Sequence, residues 1–90
     1  MRLLIHPDHD RTLFENVIRI LDDAVKHDSD HWEHVTNQQA TIDYYGYHDD
    51  MRSCVVLSEE YRSAYYRLTI SNIDDATHSA LKAAVLAYYA

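Results

Sequence analysis

Residues 40–70 read ATIDYYGYHDDMRSCVVLSEEYRSAYYRLTI, and this stretch decides the fold. It holds three β-prone runs, 40–48, 51–57 and 61–70, with turns expected at Asp49-Asp50 and at Ser58-Glu59-Glu60. Thr, Ile, Val and Tyr dominate these runs, and such side chains pack well on a pleated surface. In the last run Ala64, Tyr66, Leu68 and Ile70 alternate with Ser63, Tyr65, Arg67 and Thr69, the period of a strand with one buried face. In the middle run Met51, Ser53, Val55 and Leu57 alternate with Arg52, Cys54, Val56 and Ser58. Gly46 inside the first run predicts a bulge. Three consecutive strands with short turns predict an antiparallel meander, which can keep one face in water.

Working outward, residues 12–27 carry the clearest helical pattern. Phe14, Val17, Ile18, Leu21, Ala24 and Val25 recur at three- and four-residue intervals. Thr12 and Glu15 have capping-box spacing, and Lys26 and His27 suit the negative helix end. Met1–His6 alternates as a short strand that Pro7 ends. Trp32–Thr36 could start another strand before a turn at Asn37-Gln38-Gln39. After the meander, Ser71 or Asn72 is expected to cap a last helix with Asp74 and Asp75 in its first turn. Ile73, Ala76, Ala80, Leu81, Ala84, Val85 and Tyr88 would form its apolar stripe. The expected fold is therefore α+β: an antiparallel sheet of three to four strands with two helices packed on one face, in the order β-α-β-β-β-α. Residues 1–90 are expected to form a single domain.

Composition narrows the function. Eight Lys and Arg face 15 Asp and Glu, a net charge of −7 with His neutral. That sign disfavours direct binding to nucleic-acid phosphates or to an anionic membrane. A single Gly excludes the glycine-rich loops that cradle nucleotide phosphates, and a single Cys excludes an internal disulfide. No apolar run reaches the ~18 residues of a membrane span and no signal peptide opens the chain, so a cytoplasmic protein is expected.

Four constellations could carry chemistry. His27, His31 and His34 would share a face if a helix ran through them, but no zinc-protease spacing is present and a solvated loop accounts for them. Cys54 reads as a small core residue. The carboxylates Asp43, Asp49, Asp50, Glu59 and Glu60 fall in or beside the hairpin connections, where pKa shifts for acid–base catalysis are not expected. No catalytic residue, metal site or cofactor is assigned, and an enzyme is not expected. Among the eight tyrosines, Tyr44, Tyr66 and Tyr88 are expected in the core. Tyr45, Tyr47, Tyr61 and Tyr65 would then lie on the open sheet face. Tyr gives interfaces a large rigid area with a polar end. Asp43, Tyr45, Tyr47, Asp49, Asp50, Glu59, Glu60, Tyr61 and Tyr65 together form the expected partner-binding surface.

In size and charge the chain resembles small acidic phage inhibitors of the anti-CRISPR and anti-restriction kind. That likeness implies a stoichiometric inhibitor of a basic partner, a nuclease or a nucleoprotein complex, without direct nucleic-acid or membrane contact. An immunity protein or antitoxin against a toxin nuclease would use the same electrostatics. A His-rich metal-binding or pH-sensing module is a further alternative. A homodimer could use a free sheet edge or the tyrosines. Without its first strand, the order helix, three strands, helix is similar to the double-stranded RNA-binding fold. The last helix carries Lys82 as its one basic side chain, so the phosphate contacts of that fold are not expected.

Overall fold

A computed structural model describes residues 1–36, 42–47, 53–60, 63–71 and 75–90. The chain runs β1 (Arg2–Ile5), α1 (Arg11–His27), β2 (Trp32–Thr36), β3 (Ile42–Tyr47), β4 (Ser53–Glu59), β5 (Tyr66–Thr69) and α2 (Ala76–Tyr89). The α+β class holds, but the sheet has five strands in the order β1-β5-β4-β3-β2. All four pairings are antiparallel. The element order among the described residues is thus β-α-β-β-β-β-α, with four strands between the helices. That count departs from the double-stranded RNA-binding order.

The strand left out of the expected order is β2, at the Trp32–Thr36 bounds where a strand could start. It is a short edge strand, largely exposed along Glu33–Thr36, so it carries little hydrophobic period. Its anchor is Trp32, 3% exposed, directly opposite Gly46. Gly46 has no side chain there, which leaves room for the indole. The expected bulge at Gly46 is absent, because Gly46 pairs regularly with both Trp32 and Cys54. The ladder slips instead between Tyr44 and Tyr45, which pair with Leu57 and Val55. Val56 is the extra residue, so Val56 and Leu57 are both buried while Val55 is exposed. This overturns the strict alternation expected for residues 51–58. The last strand is also shorter than expected, 66–69 rather than 61–70.

Helix α1 begins one residue before the expected start, and its buried stripe is Leu13, Val17, Leu21 and Ala24. Phe14, Ile18 and Val25 flank the stripe, partly buried against the core. Thr12 lies inside the first turn and is not the cap. The cap position falls to Asp10, whose side chain makes no capping bond to the helix. Its carboxylate is taken elsewhere: Asp10 Oδ2 accepts the His6 backbone N–H at 2.8 Å and Oδ1 accepts the Tyr88 hydroxyl at 3.0 Å. One side chain thus links the end of β1, the start of α1 and the tail of α2.

Helix α2 is capped by Asp75, which accepts the His78 N–H at 2.7 Å, so the cap is not Ser71. Asn72, Ile73 and Asp74 lie outside the described residues, as does the 37–39 turn. Its buried row is His78, Leu81 and Val85, with Ala84 and Tyr88 packed beside it. Ala76, expected in the stripe, is exposed. The helices pack on each other, and the core between them and the sheet includes Ile5, Tyr44, Leu57, Leu68 and Ile70. Fully burying each such side chain contributes about 1.5–3 kcal/mol.

Candidate functional site

Strand parity separates a covered sheet face from an open one. Tyr44 and Gly46 are buried on β3, so Asp43 and Tyr45 take the opposite face and are half-buried. Tyr45 sits between Glu33 on β2 and Val55 on β4, and Asp43 is opposite Val35. On the far side of the sheet the same parity places Arg67 and Thr69 of β5 beside Leu4 and Arg2 of β1. Leu4 is 52% exposed and Val55 39%. The open face therefore combines exposed aliphatic side chains, a tyrosine, the acids of β2 and β3, and the cations Arg2 and Arg67.

Asp43 and Glu59 come together where β3 begins and β4 ends. The Asp43 carboxylate accepts the Glu59 backbone N–H, yet burial outweighs that bond and its pKa is raised. Both acids raise the pKa of the Tyr66 phenol, after the larger effect of burial. Glu60 is partly neutralised, because its Oε1 lies 3.4 Å from Arg67 Nε.

Tyr65 adjoins this group through the backbone, its carbonyl accepting the Glu60 N–H at 2.9 Å. It precedes β5, is 41% exposed, and meets His6 edge-on at 5.2 Å. His6 in turn stacks on His9 at 4.1 Å, and its Nδ1 accepts the backbone N–H of Asp8 and of His9, both at 3.1 Å. Val55, beside Tyr45, lies four residues, ~13 Å, along β4 from Glu59 at the Tyr65 end. Tyr45 and Tyr65 thus lie toward opposite ends of the expected surface, with Asp43, Glu59 and Glu60 between them. Tyr47 pairs with Ser53 in the ladder. Asp49, Asp50 and Tyr61 lie outside the described residues.

The expected core tyrosines have structural partners. Tyr44 is 2% exposed, donates to Asp22 Oδ1 at 2.5 Å and stacks on His34 at 4.7 Å. Burial, then Asp22, pushes its pKa far above the ordinary phenol value. Tyr66 packs on Phe14 at 5.0 Å. Tyr88 is partly buried against the core.

The histidines are spread through the molecule. The helix ends at His27, so His27, His31 and His34 share no helical face. His27 Nδ1 lies 2.9 Å from the Asp23 carbonyl, and His31 Nδ1 lies 2.8 Å from Asp28 Oδ1. His78, 1% exposed, lies against Trp32 at 5.4 Å, with Nε2 3.9 Å from Asp75 Oδ2. Among the described residues no three His, Cys, Asp or Glu side chains are placed to hold a metal ion. Among them, too, no helix is long and apolar enough to cross a membrane.

Leu4, Val55 and the two arginines were not singled out as site residues from sequence. Leu4 carried a signal, since it alternates with the inward Leu3 and Ile5. Val55 carried none, because the slip that turns it outward is a property of the β3–β4 pairing. No family profile, no curated protein and no solved structure matches this chain.

Proposed function

We propose that the chain is a small acidic protein-binding inhibitor, which uses the open face of its sheet to cover a basic, nucleic-acid-handling protein. The observation that carries this reading is the uncovered face itself: Leu4 and Val55 stand exposed in the same sheet as Tyr45, Asp43 and Glu33. Exposed aliphatic groups beside a tyrosine supply the contact area, and the surrounding acids select the partner's charge. The chain's net charge of −7 speeds encounter with a basic surface. Burial raises the pKa of the half-buried Asp43 carboxyl, so a cation placed beside it favours its ionised form.

The test is affinity capture from host lysate at moderate and high salt, followed by titration of the captured protein. The expected outcome is a basic nuclease or nucleoprotein bound one to one, released by salt, and blocked in its nucleic-acid activity. Tyr45→Ala and Val55→Glu should each weaken capture at least tenfold. An acidic partner, or capture that neither variant changes, would refute the reading. An immunity protein would use the same surface, and a captured toxin nuclease would identify that case.

A further inference from the structure

Helix α2 is apolar on both sides. Its inner row reaches the core, while on its outer side Leu86 is 61% exposed and Tyr89 60% exposed. Ser79, Ala83 and Ala87 complete that outer side, and Lys82 is the one charged side chain between Ala76 and Tyr89. A helix that is apolar all round is ordinarily covered on all sides. We propose that a second copy of this chain covers it, with the two α2 helices packed about a two-fold axis.

Charge selects this occupant. The chain holds 15 Asp and Glu, and α2 holds none of them. Two copies at net −7 repel over most of their surfaces, and the outer face of α2 is where they meet without opposing carboxylates. A basic partner would find no carboxylate on this helix to recognise. Shape agrees: Ala83 lies one turn before Leu86 and Ala90 one turn after it, so each Leu86 can settle over the other copy's alanines in a self-complementary contact. One 14-residue helix is ~21 Å long, which places the interface at the small, reversible end of specific contacts. Association leaves the open sheet face free in both copies, so this proposal is independent of the inhibitor reading.

Sedimentation equilibrium of the full chain over a wide concentration range tests it. The expected result is a monomer–dimer equilibrium for the native chain. Leu86→Glu and Ala83→Glu should each remain monomeric at concentrations where the native chain is mostly dimeric, a shift of at least tenfold in dissociation constant. Leu4→Glu, on the open sheet, should dimerise as the native chain does. Circular dichroism melts establish that each variant is folded. A native chain that stays monomeric throughout overturns the proposal. So does a dimer that survives both α2 substitutions, or one lost in Leu4→Glu. Loss of partner capture in Val55→Glu with dimerisation intact separates the two readings.

Discussion

The two helices are alike on their inner sides and opposite on their outer sides. Helix α1 buries Leu13, Val17, Leu21 and Ala24, and α2 buries His78, Leu81 and Val85. Outward, α1 shows Arg11, Glu15, Arg19, Asp22, Asp23 and Lys26 to water, whereas α2 shows Ser79, Ala83, Leu86, Ala87 and Tyr89. Burial against the core therefore accounts fully for α1. It accounts for the inner half of α2, and the outer half leaves Leu86 and Tyr89 exposed.

The largest expected effects sharpen the likeness of the inner sides. Leu21 and Leu81 are both fully buried. Leu21→Ala and Leu81→Ala should each cost about 2–5 kcal/mol, read as a lower midpoint in urea unfolding at unchanged slope. A cost below about 1 kcal/mol at Leu81 alone would break the comparison, since α2 would then not be docked as α1 is.

Asp10 is where the helices are tied together, and its loss is the next effect in size. Asp10→Ala leaves the His6 N–H and the Tyr88 hydroxyl without their acceptor and should cost about 1–3 kcal/mol. Tyr88→Phe removes one of those bonds and should cost about 0.5–1.5 kcal/mol. Equal costs for the two variants would mean that the β1 end does not depend on the carboxylate. Hydrogen exchange at the His6 amide distinguishes them, because it should rise in Asp10→Ala and stay protected in Tyr88→Phe.

How much of this was legible in sequence follows from the range of the interactions. Helix α1 was visible because its 3.6-residue period is a local property, and Leu3 and Ile5 were visible as the inward side of β1 for the same reason. The alternation of Tyr66, Leu68 and Ile70 was legible too. The slip beside Val56 was not, because register belongs to two strands at once. Strand β2 was legible at Trp32–Thr36 only as the possible start of a strand and stayed out of the element order, because one Trp, set over a glycine on another strand, carries most of its burial. Asp10 looked like part of a polar connection and Thr12 like the cap, since the competing partners of Asp10 are His6 and the distant Tyr88. Of the expected surface, the open-face placement of Asp43 and Tyr45 follows from period two, while Tyr65, ahead of β5, stands at the far end beside Glu60.

Two titrations probe the sheet beneath the helices. Tyr44 has a folded-state pKa raised by burial and by Asp22, so its contribution is fully present below about pH 10 and is lost as pH rises further. The unfolded chain releases this proton first, and stability should fall by up to about 1.4 kcal/mol per pH unit from this group. Tyr44→Phe should flatten that slope in urea unfolding measured between pH 9 and 11. An unchanged slope would show that burial and Asp22 do not raise the Tyr44 pKa. Asp43 is likewise raised, from 3.8, and so ionised Asp43 opposes folding at neutral pH. Asp43→Asn should stabilise the fold at pH 7, with the gain vanishing as pH falls below the ordinary carboxylate range. The same variant should weaken partner capture, placing stability and binding in opposition on the open face.

The smallest expected effect is the one that separates the helices most sharply. Leu86 is largely exposed, so Leu86→Glu should change the stability of dilute protein by no more than about 0.5 kcal/mol. Concentration should then reveal what the outer face does. Self-association stabilises the folded chain by mass action, so the melting temperature of the native protein should rise with concentration. In Leu86→Glu it should stay level. Glu15→Ala, a change at an exposed position of α1, should keep the native concentration dependence, because water already completes that helix. A melting temperature independent of concentration in the native chain would make the two outer faces equivalent and remove the contrast. A rise in the native chain and in Glu15→Ala, absent in Leu86→Glu, would place the difference between the helices in the apolar outer face of α2.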